Sequence, residues 1–468
     1  MELKLKNIKI KSKKIGFFRF GKIDKNYLLT NDFGFHAILT PDQFKGFLED
    51  SLDDQTYKML EGKGFLKDIP IFQREDLIGI CKKRNSNLFK SGPGLHIIVV
   101  TLRCNFKCVY CQASSRSLKE KQYDMSLDTA KKTVDFIFNT PSRQITIEFQ
   151  GGEPLTNWPV VKFIIEYARK KEKESEKKIR IPLVSNLTLM TNERFKFLSD
   201  NRVDICTSLD GPEKIHNKNR PWIGGNSHKE TTKWIKRIKK TKNIGALLTV
   251  TRTALKYPKK IIDEYLKWGF PGIHLRNLSY LGKGETSQDR IGYSAEEFID
   301  FWKKSMDYII SINKKRKFFS ERESQIILQK IMTNKNPGYT DLDSPCGAVL
   351  GQMLYNYDGN IYTCDEGRML NDDTFLIGNI DSDYKDVVLS KKTRIMITAS
   401  CLENTTCNTC VYKPYCGVCP VKNYVYYGTL FPQMKKTEHC KIKKEQFKYI
   451  FLKMQDEKIR KIFERWVK

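Results

Sequence analysis

The sequence predicts an α/β fold: a partial, TIM-like (β/α)6 barrel, preceded by a small winged-helix-like module and followed by a cysteine-rich C-terminal domain. Three observations carry this expectation. Six short apolar runs alternate with helix-length amphipathic stretches between about residues 95 and 280. The thirteen cysteines cluster, three between 104 and 111 and eight between 346 and 440. Glycine and proline punctuate the joins, most clearly at Gly92-Pro93-Gly94.

At roughly 150 residues per domain, a chain of 468 residues has room for about three domains. Residues 1–92 hold two strand-like segments (IGFFRFGKI and NYLLTNDFGFHAIL) and then the helix-like PDQFKGFLED and QTYKMLEGKGFLK. Asn31-Asp32-Phe33-Gly34 between apolar runs is a hairpin signal. Pro41 and Gly64 bracket the helices. A linker is expected around NSNLFKSGPG.

Residues 93–285 carry the alternation: 95–102, 144–150, 179–186, 203–210, 245–251 and 272–279 read as strands, with helices such as SLDTAKKTVDFIFN between them. Strand–helix repeats of this kind build right-handed βαβ units and a parallel sheet. Six strands are too few for a closed eight-stranded barrel, so functional residues are expected at the C-terminal ends of a partial one. Residues 286–339 read as a helical connection, 340–445 as an irregular cysteine- and turn-rich domain, and 446–468 as the end of one amphipathic helix starting near 442.

Composition excludes several classes. With 40% hydrophobic and 12% aromatic residues, wholesale disorder is not expected. No apolar run of about 18 residues is present. The basic N-terminus lacks the apolar core of a signal peptide, and the chain reads as cytoplasmic. The formal charge of +29 would suit nucleic acid or an acidic partner, but the lysines are spread over amphipathic segments and name no ligand. In a reducing cytosol, closely spaced cysteines argue for metal rather than disulfides.

Cys104, Cys108 and Cys111 stand just after the first strand as Cys-x3-Cys-x2-Cys. Thiolates are the ligands of iron–sulfur clusters, and three on a four-iron cluster leave one iron open for a substrate or cofactor. The loop, with Tyr110 before its third cysteine, resembles the radical S-adenosylmethionine (SAM) superfamily over about 95–280. Gly151-Gly152-Glu153-Pro154 after the second strand resembles that family's SAM-amine motif, where glycines permit close backbone approach. Asn186 resembles the ribose-contacting position, and Ser208 and Asp210 resemble positions that contact SAM or shape its pocket. The resemblance implies a [4Fe–4S] cluster that binds SAM and a 5′-deoxyadenosyl radical that abstracts hydrogen from substrate.

Cys346, Cys364, Cys407, Cys410, Cys416, Cys419 and Cys440 resemble the SPASM auxiliary-cluster extension, with two residues rather than three between Cys416 and Cys419. By that resemblance Cys407, Cys410, Cys416 and Cys440 hold one auxiliary [4Fe–4S] cluster, and Cys346, Cys364 and Cys419 the other. Its fourth ligand is Cys401 or an open position. Structural zinc is the rival for the whole field. Cys81 and Cys206 read as buried thiols. Asp365, directly after Cys364, resembles the general base of anaerobic sulfatase maturases.

Stretches such as LHIIVVTLRCN, YDMS, IEFQGGEPL, IHNKNRP and YNYDGNIY resemble the His-Xaa-Ser system radical SAM maturases. The resemblance implies a peptide maturase acting on a ribosomally made precursor, with a flavodoxin or ferredoxin donor and a second, paired radical SAM protein. Residues 1–92 resemble leader-binding modules that take a peptide as an added strand. His216, Asn217, Asn219 and Arg220 form either a substrate grip or a solvated loop. An RNA-modifying enzyme, a sulfatase-type maturase and a zinc-stapled nucleic-acid-binding protein are the alternatives, although no aromatic–basic interleaving supports RNA.

Overall fold

Three antiparallel strands come first in the computed structural model, which describes residues 10–67, 75–80, 92–282, 287–370 and 372–468. They are β1 (Arg19–Ile23), β2 (Asn26–Thr30) and β3 (His36–Leu39), paired in the order β1-β2-β3. Gly34, at φ 85°, makes the β2–β3 turn. The module therefore has a three-stranded meander where the sequence suggested a strand pair, because Asp24 takes a left-handed φ of 53° and folds IGFFRFGKI back onto NYLLT. Helices Pro41–Glu49 and Asp54–Gly62 follow, capped by the side chains of Thr40 and Asp53. Phe44, Phe47, Leu60 and Phe65 fill the space between sheet and helices. Cys81 and most of the expected linker lie outside the described residues.

The alternating region folds as parallel strands: β4 (Leu95–Val99), β5 (Gln144–Gln150), β6 (Lys178–Val184), β7 (Val203–Ser208), β8 (Ile244–Thr249), and the short β9 (Gly272–Ile273) and β10 (Leu275–Arg276). The first strand ends at Val99, earlier than expected, because the chain beyond it pairs with 124–125 through Met125 N–H donating to the Val100 carbonyl. The sixth run is broken: β10 stays on β8, whereas β9 pairs with β11 (Ser320–Glu321). Buried Glu321 accepts from Leu275 N–H at 3.2 Å and so holds the break in place.

The cysteine-rich region is less irregular than its sequence suggests. β12 (Gln352–Tyr355) pairs parallel to β4, and β13 (Asn360–Tyr362) and β14 (Leu376–Asn379) extend the sheet antiparallel. One sheet thus runs β10-β8-β7-β6-β5-β4-β12-β13-β14 and ties the barrel to the cysteine-rich region. Helix Ala295–Lys314, opened by the Ser294/Glu297 capping box, packs with Arg322–Met332 against the far end of the barrel. The expected single terminal helix is two, Glu438–Lys453 and Glu457–Val467, because the Asp456 side chain caps a new start at Lys458 and Ile459 N–H. Buried Lys443 pairs with Glu323 and anchors the first of them.

The N-terminal module docks on the cysteine-rich region. Arg19 donates to the Asn408 carbonyl at 2.5 Å, Thr30 to that of Val411 at 2.8 Å, and Tyr415 to that of Gly34 at 3.1 Å. No helix among the described residues is long and apolar enough to cross a membrane.

Candidate active site and its cysteine sites

Parallel strands that end together leave their C-terminal turns facing one space. Here that space is a cavity of about 220 Å³ whose walls include Cys104, Cys108, Cys111, Tyr110, Gly152 and Arg220. Glu153, Asn186 and Ser208 also line it. The cysteine loop hangs on backbone hydrogen bonds: Cys104 N–H to Arg116 O, Lys107 N–H to Pro221 O and Val109 N–H to Asn219 O. Burial pushes the Cys108 thiol up to about 12, against the pull of Arg220, and pushes Cys104 up as well. Thiols in such a place ionise when a metal takes the sulfur, which fits a ligand role.

A tetrahedral zinc with Zn–S near 2.3 Å holds its sulfurs about 3.8 Å apart. Among the described residues, the group whose ligand atoms all fall within 4.8 Å is Cys364, Asp365 and Glu366, and no three cysteines approach that closely. All of the cysteine sets offer sulfur donors, the ligands that iron–sulfur clusters require.

The glycines at 151–152 are needed by the protein's own backbone. A Cβ on Gly152 would lie 2.2 Å from the Arg103 carbonyl oxygen, and one on Gly151, at φ 127°, would lie 2.3 Å from that of Thr101. The turn presses on the cysteine loop, with Gly152 N–H donating to Thr101 O and Glu153 N–H to Arg103 O. Pro154, buried, starts the short helix that follows. Glu153, 1% exposed, accepts from Leu155 N–H, the Ser185 hydroxyl and Asn186 N–H, and so ties the ends of β5 and β6 together. Burial raises its pKa. Asn186 donates to Asn105 at 2.9 Å, accepts from Thr188, and sits 4.0 Å from the Cys104 sulfur.

Asp210 stands behind the wall, fully buried, and shapes the pocket through its neighbours. Tyr110 donates to it at 2.5 Å, and the Arg220 Nε pairs with it at 3.2 Å. The Arg220 guanidinium also lies 5.2 Å from the Tyr110 ring centre. Burial works against the Arg220 charge, but Asp210 more than offsets this and holds the guanidinium protonated. Residues 215–221 are no solvated loop: His216 and Asn219 are buried, and Asn219 accepts from Thr251 at 3.1 Å. His216 Nδ1 accepts from Asp210 N–H at 3.3 Å, while Asn217 accepts from Ser227 and His228 N–H. Only Arg220 of this group reaches the cavity wall.

The C-terminal cysteines sort into two sets. Cys346, Cys364 and Cys419 line one small cavity with Asp341 and Glu366. Cys407 and Cys416 pack on one apolar cluster of Leu402, Val418 and Met434, and burial, then the charges of Cys410, Cys407 and Cys440, push the Cys416 thiol up to about 12. Cys401 joins neither: its thiol donates to the Ile397 carbonyl at 3.3 Å. Cys206 sits on β7 among strand residues. Asp365 opens a short helix, Asp365–Met369, capped by the Cys364 sulfur. Burial, and then Glu366, push its carboxyl well up.

That helix spans the space between the two sites, since Glu366 lines the small cavity and Met369 the large one. Arg368, 3% exposed, donates to the Ala113 carbonyl at 3.1 Å and fastens the helix to the cysteine loop. Sequence reasoning missed Glu366, Arg368 and Met369, because no spacing marks them; only adjacence to Cys364 and Asp365 could have drawn attention there.

The Radical SAM superfamily model matches residues 98–275. The chain carries a radical SAM domain. It is 31% identical over 179 residues to the uncharacterized protein MJ0907 of Methanocaldococcus jannaschii, spanning 38% of this chain and 60% of that one. It is 26% identical over 326 residues to a cysteine-type anaerobic sulfatase-maturating enzyme of Clostridium perfringens, spanning 67% of this chain and 84% of the relative. In fold it is similar to native anSMEcpe with bound AdoMet and the Cp18Cys peptide, with a TM-score of 0.65, 23% identity, and 79% and 99% of the two chains covered. Streptococcus suis SuiB bound to precursor peptide SuiA gives a TM-score of 0.55 at 14% identity, over 89% of this chain and 97% of that one. A radical SAM domain implies a [4Fe–4S] cluster and S-adenosylmethionine, and the C-terminal cysteine sets fit auxiliary clusters. Over residues 98–275 the chain matches that superfamily, and its parallel-rich α/β sheet is consistent with a partial barrel.

Proposed function

We propose that this radical SAM enzyme modifies a side chain of a ribosomally made peptide or protein. The observation that carries the reading is the helix Asp365–Met369, which puts Glu366 at the second cysteine site and Met369 at the cavity of the open cysteine loop. The relatives support it: one is a sulfatase-maturating enzyme, and two solved neighbours are bound to peptides. Cys104, Cys108 and Cys111 would hold the first cluster, and the C-terminal sets the auxiliary ones. Together with S-adenosylmethionine, the first cluster supplies reductive C–S cleavage and a radical able to take hydrogen from carbon.

The chain's own residues do the rest. Gly151 and Gly152 keep the SAM-side turn against the cysteine loop, and Glu153 and Asn186 fix the loop edges. Tyr110 and Arg220, held by Asp210, keep the wall rigid and exclude water. Asp365, half-buried directly after Cys364, is the carboxylate that would accept a proton from the substrate residue after hydrogen is taken. Residues 1–92 would recognise the precursor's leader, and a flavodoxin or ferredoxin would supply electrons.

Anaerobic co-expression with the small open reading frame beside the gene tests this. A peptide lighter by two hydrogens, or one exchanging deuterium without net loss, supports peptide modification. Unmodified peptide, with a strongly salt-dependent affinity for RNA, would contradict it.

A further inference from the structure

The second auxiliary site has three cysteines, and its fourth ligand is open to assignment from the structure. Cys401 is turned away, its thiol occupied by the Ile397 carbonyl. The cavity shared by Cys346, Cys364 and Cys419 has two carboxylates on its wall, Asp341 and Glu366. Glu366 is 8% exposed, and its oxygen lies within 4.8 Å of the Cys364 sulfur. Of the two carboxylates, Glu366 is buried and has its donor atom in the group with Cys364, whereas Asp341 is half-buried and outside that group. Lys422 Nζ stands 3.5 Å from Glu366 Oε1, a cation that can serve as an outer partner of a ligating carboxylate.

We infer that Glu366 completes the ligand set of Cys346, Cys364 and Cys419, making this a three-cysteine, one-carboxylate iron–sulfur site. A carboxylate is a harder ligand than a thiolate, so one iron of this cluster differs electronically from the other three. The helix that carries Glu366 also carries Met369 at the wall of the large cavity. The substrate side of the enzyme is thereby joined by a single turn of chain to the ligand of an auxiliary iron. The inference is independent of what the substrate is.

The test uses full-length protein reconstituted anaerobically with 57Fe, in a Cys104→Ala/Cys108→Ala/Cys111→Ala background that removes the first cluster. Mössbauer and EPR spectra and the reduction midpoint are then compared for this background, Cys401→Ser, Glu366→Gln and Glu366→Cys. Cys401→Ser is expected to leave iron content, spectra and midpoint unchanged. Glu366→Cys is expected to retain about four irons at this site, with the distinct iron's Mössbauer signal merged into the others. Glu366→Gln is expected to shift the g values and the midpoint or to lose one iron. An unchanged spectrum in either Glu366 variant overturns the assignment, as does loss of the cluster in both of them or in Cys401→Ser.

Discussion

The cysteine loop at 104–111 and the cysteine field at 346–440 use one side chain in two ways. The loop takes its thiols from a single short stretch, places them on the wall of a cavity of about 220 Å³, and leaves space beside them for a small molecule. The field gathers its thiols from separate elements: Cys364 caps a helix, Cys419 caps another, and Cys440 sits in the first turn of a third. Apolar side chains such as Met396, Val421, Leu402 and Met434 pack around these sulfurs. The first site stands open beside a cavity, and the others are packed among apolar side chains. A local motif therefore marks the first, while tertiary packing makes the others.

The largest effect expected is on the open site alone. Cys108→Ala should reduce 5′-deoxyadenosine formation to background and remove about four irons per chain, leaving auxiliary signals intact by EPR. Loss of all signals together would erase the distinction between the regions. Next comes the wall. Arg220→Met leaves Asp210 buried without its cation and should cost about 3–5 kcal/mol of stability in denaturant titration. Tyr110→Phe, which leaves that ion pair in place, should cost only about 1–2 kcal/mol.

Gly152→Ala sharpens the comparison, because its Cβ would meet the Arg103 and Leu102 carbonyl oxygens at 2.2 and 2.5 Å. About 3 kcal/mol of overpacking is expected, with weakened SAM binding by calorimetry and unchanged auxiliary iron.

The smallest effect lies at the sheet joint between the regions. Burial pushes His96, between the Pro93 carbonyl and the Tyr355 hydroxyl, down to about 3 from 6.5. The folded ring therefore stays neutral, and the unfolded chain binds the extra proton. Stability is flat above pH 6.5 and falls as pH drops toward 3, by roughly 1.4 kcal/mol per unit from this ring. Urea midpoints at pH 7.0 and 5.5 should differ less for His96→Gln than for the unaltered chain.

Much of this was legible in the sequence because it is local. The runs at 144–150 and 203–210, the Cys-x3-Cys-x2-Cys loop and Gly-Gly-Glu-Pro each announce themselves within a few residues. The strands β12 to β14 escaped because each is only three or four residues long, too short to show a period, although Asp358-Gly359 is a hairpin signal. The break at 454–456 was hidden for the opposite reason, since amphipathic character continues across it. Arg368 acts through a neighbour 255 positions distant and Glu366 through one turn of helix, and no spacing rule reports such contacts. Asp210 was singled out for the pocket, yet its work is done one layer behind it.

The central claim is that the trio Cys104, Cys108 and Cys111 forms an open cluster site. It is tested most directly by adding S-adenosylmethionine to anaerobically reduced protein lacking Cys346, Cys364, Cys407, Cys410, Cys416, Cys419 and Cys440, all changed to Ala. The account predicts an S = ½ cluster signal whose g values move on addition, with 5′-deoxyadenosine released. A signal indifferent to S-adenosylmethionine, with no nucleoside formed, would contradict it.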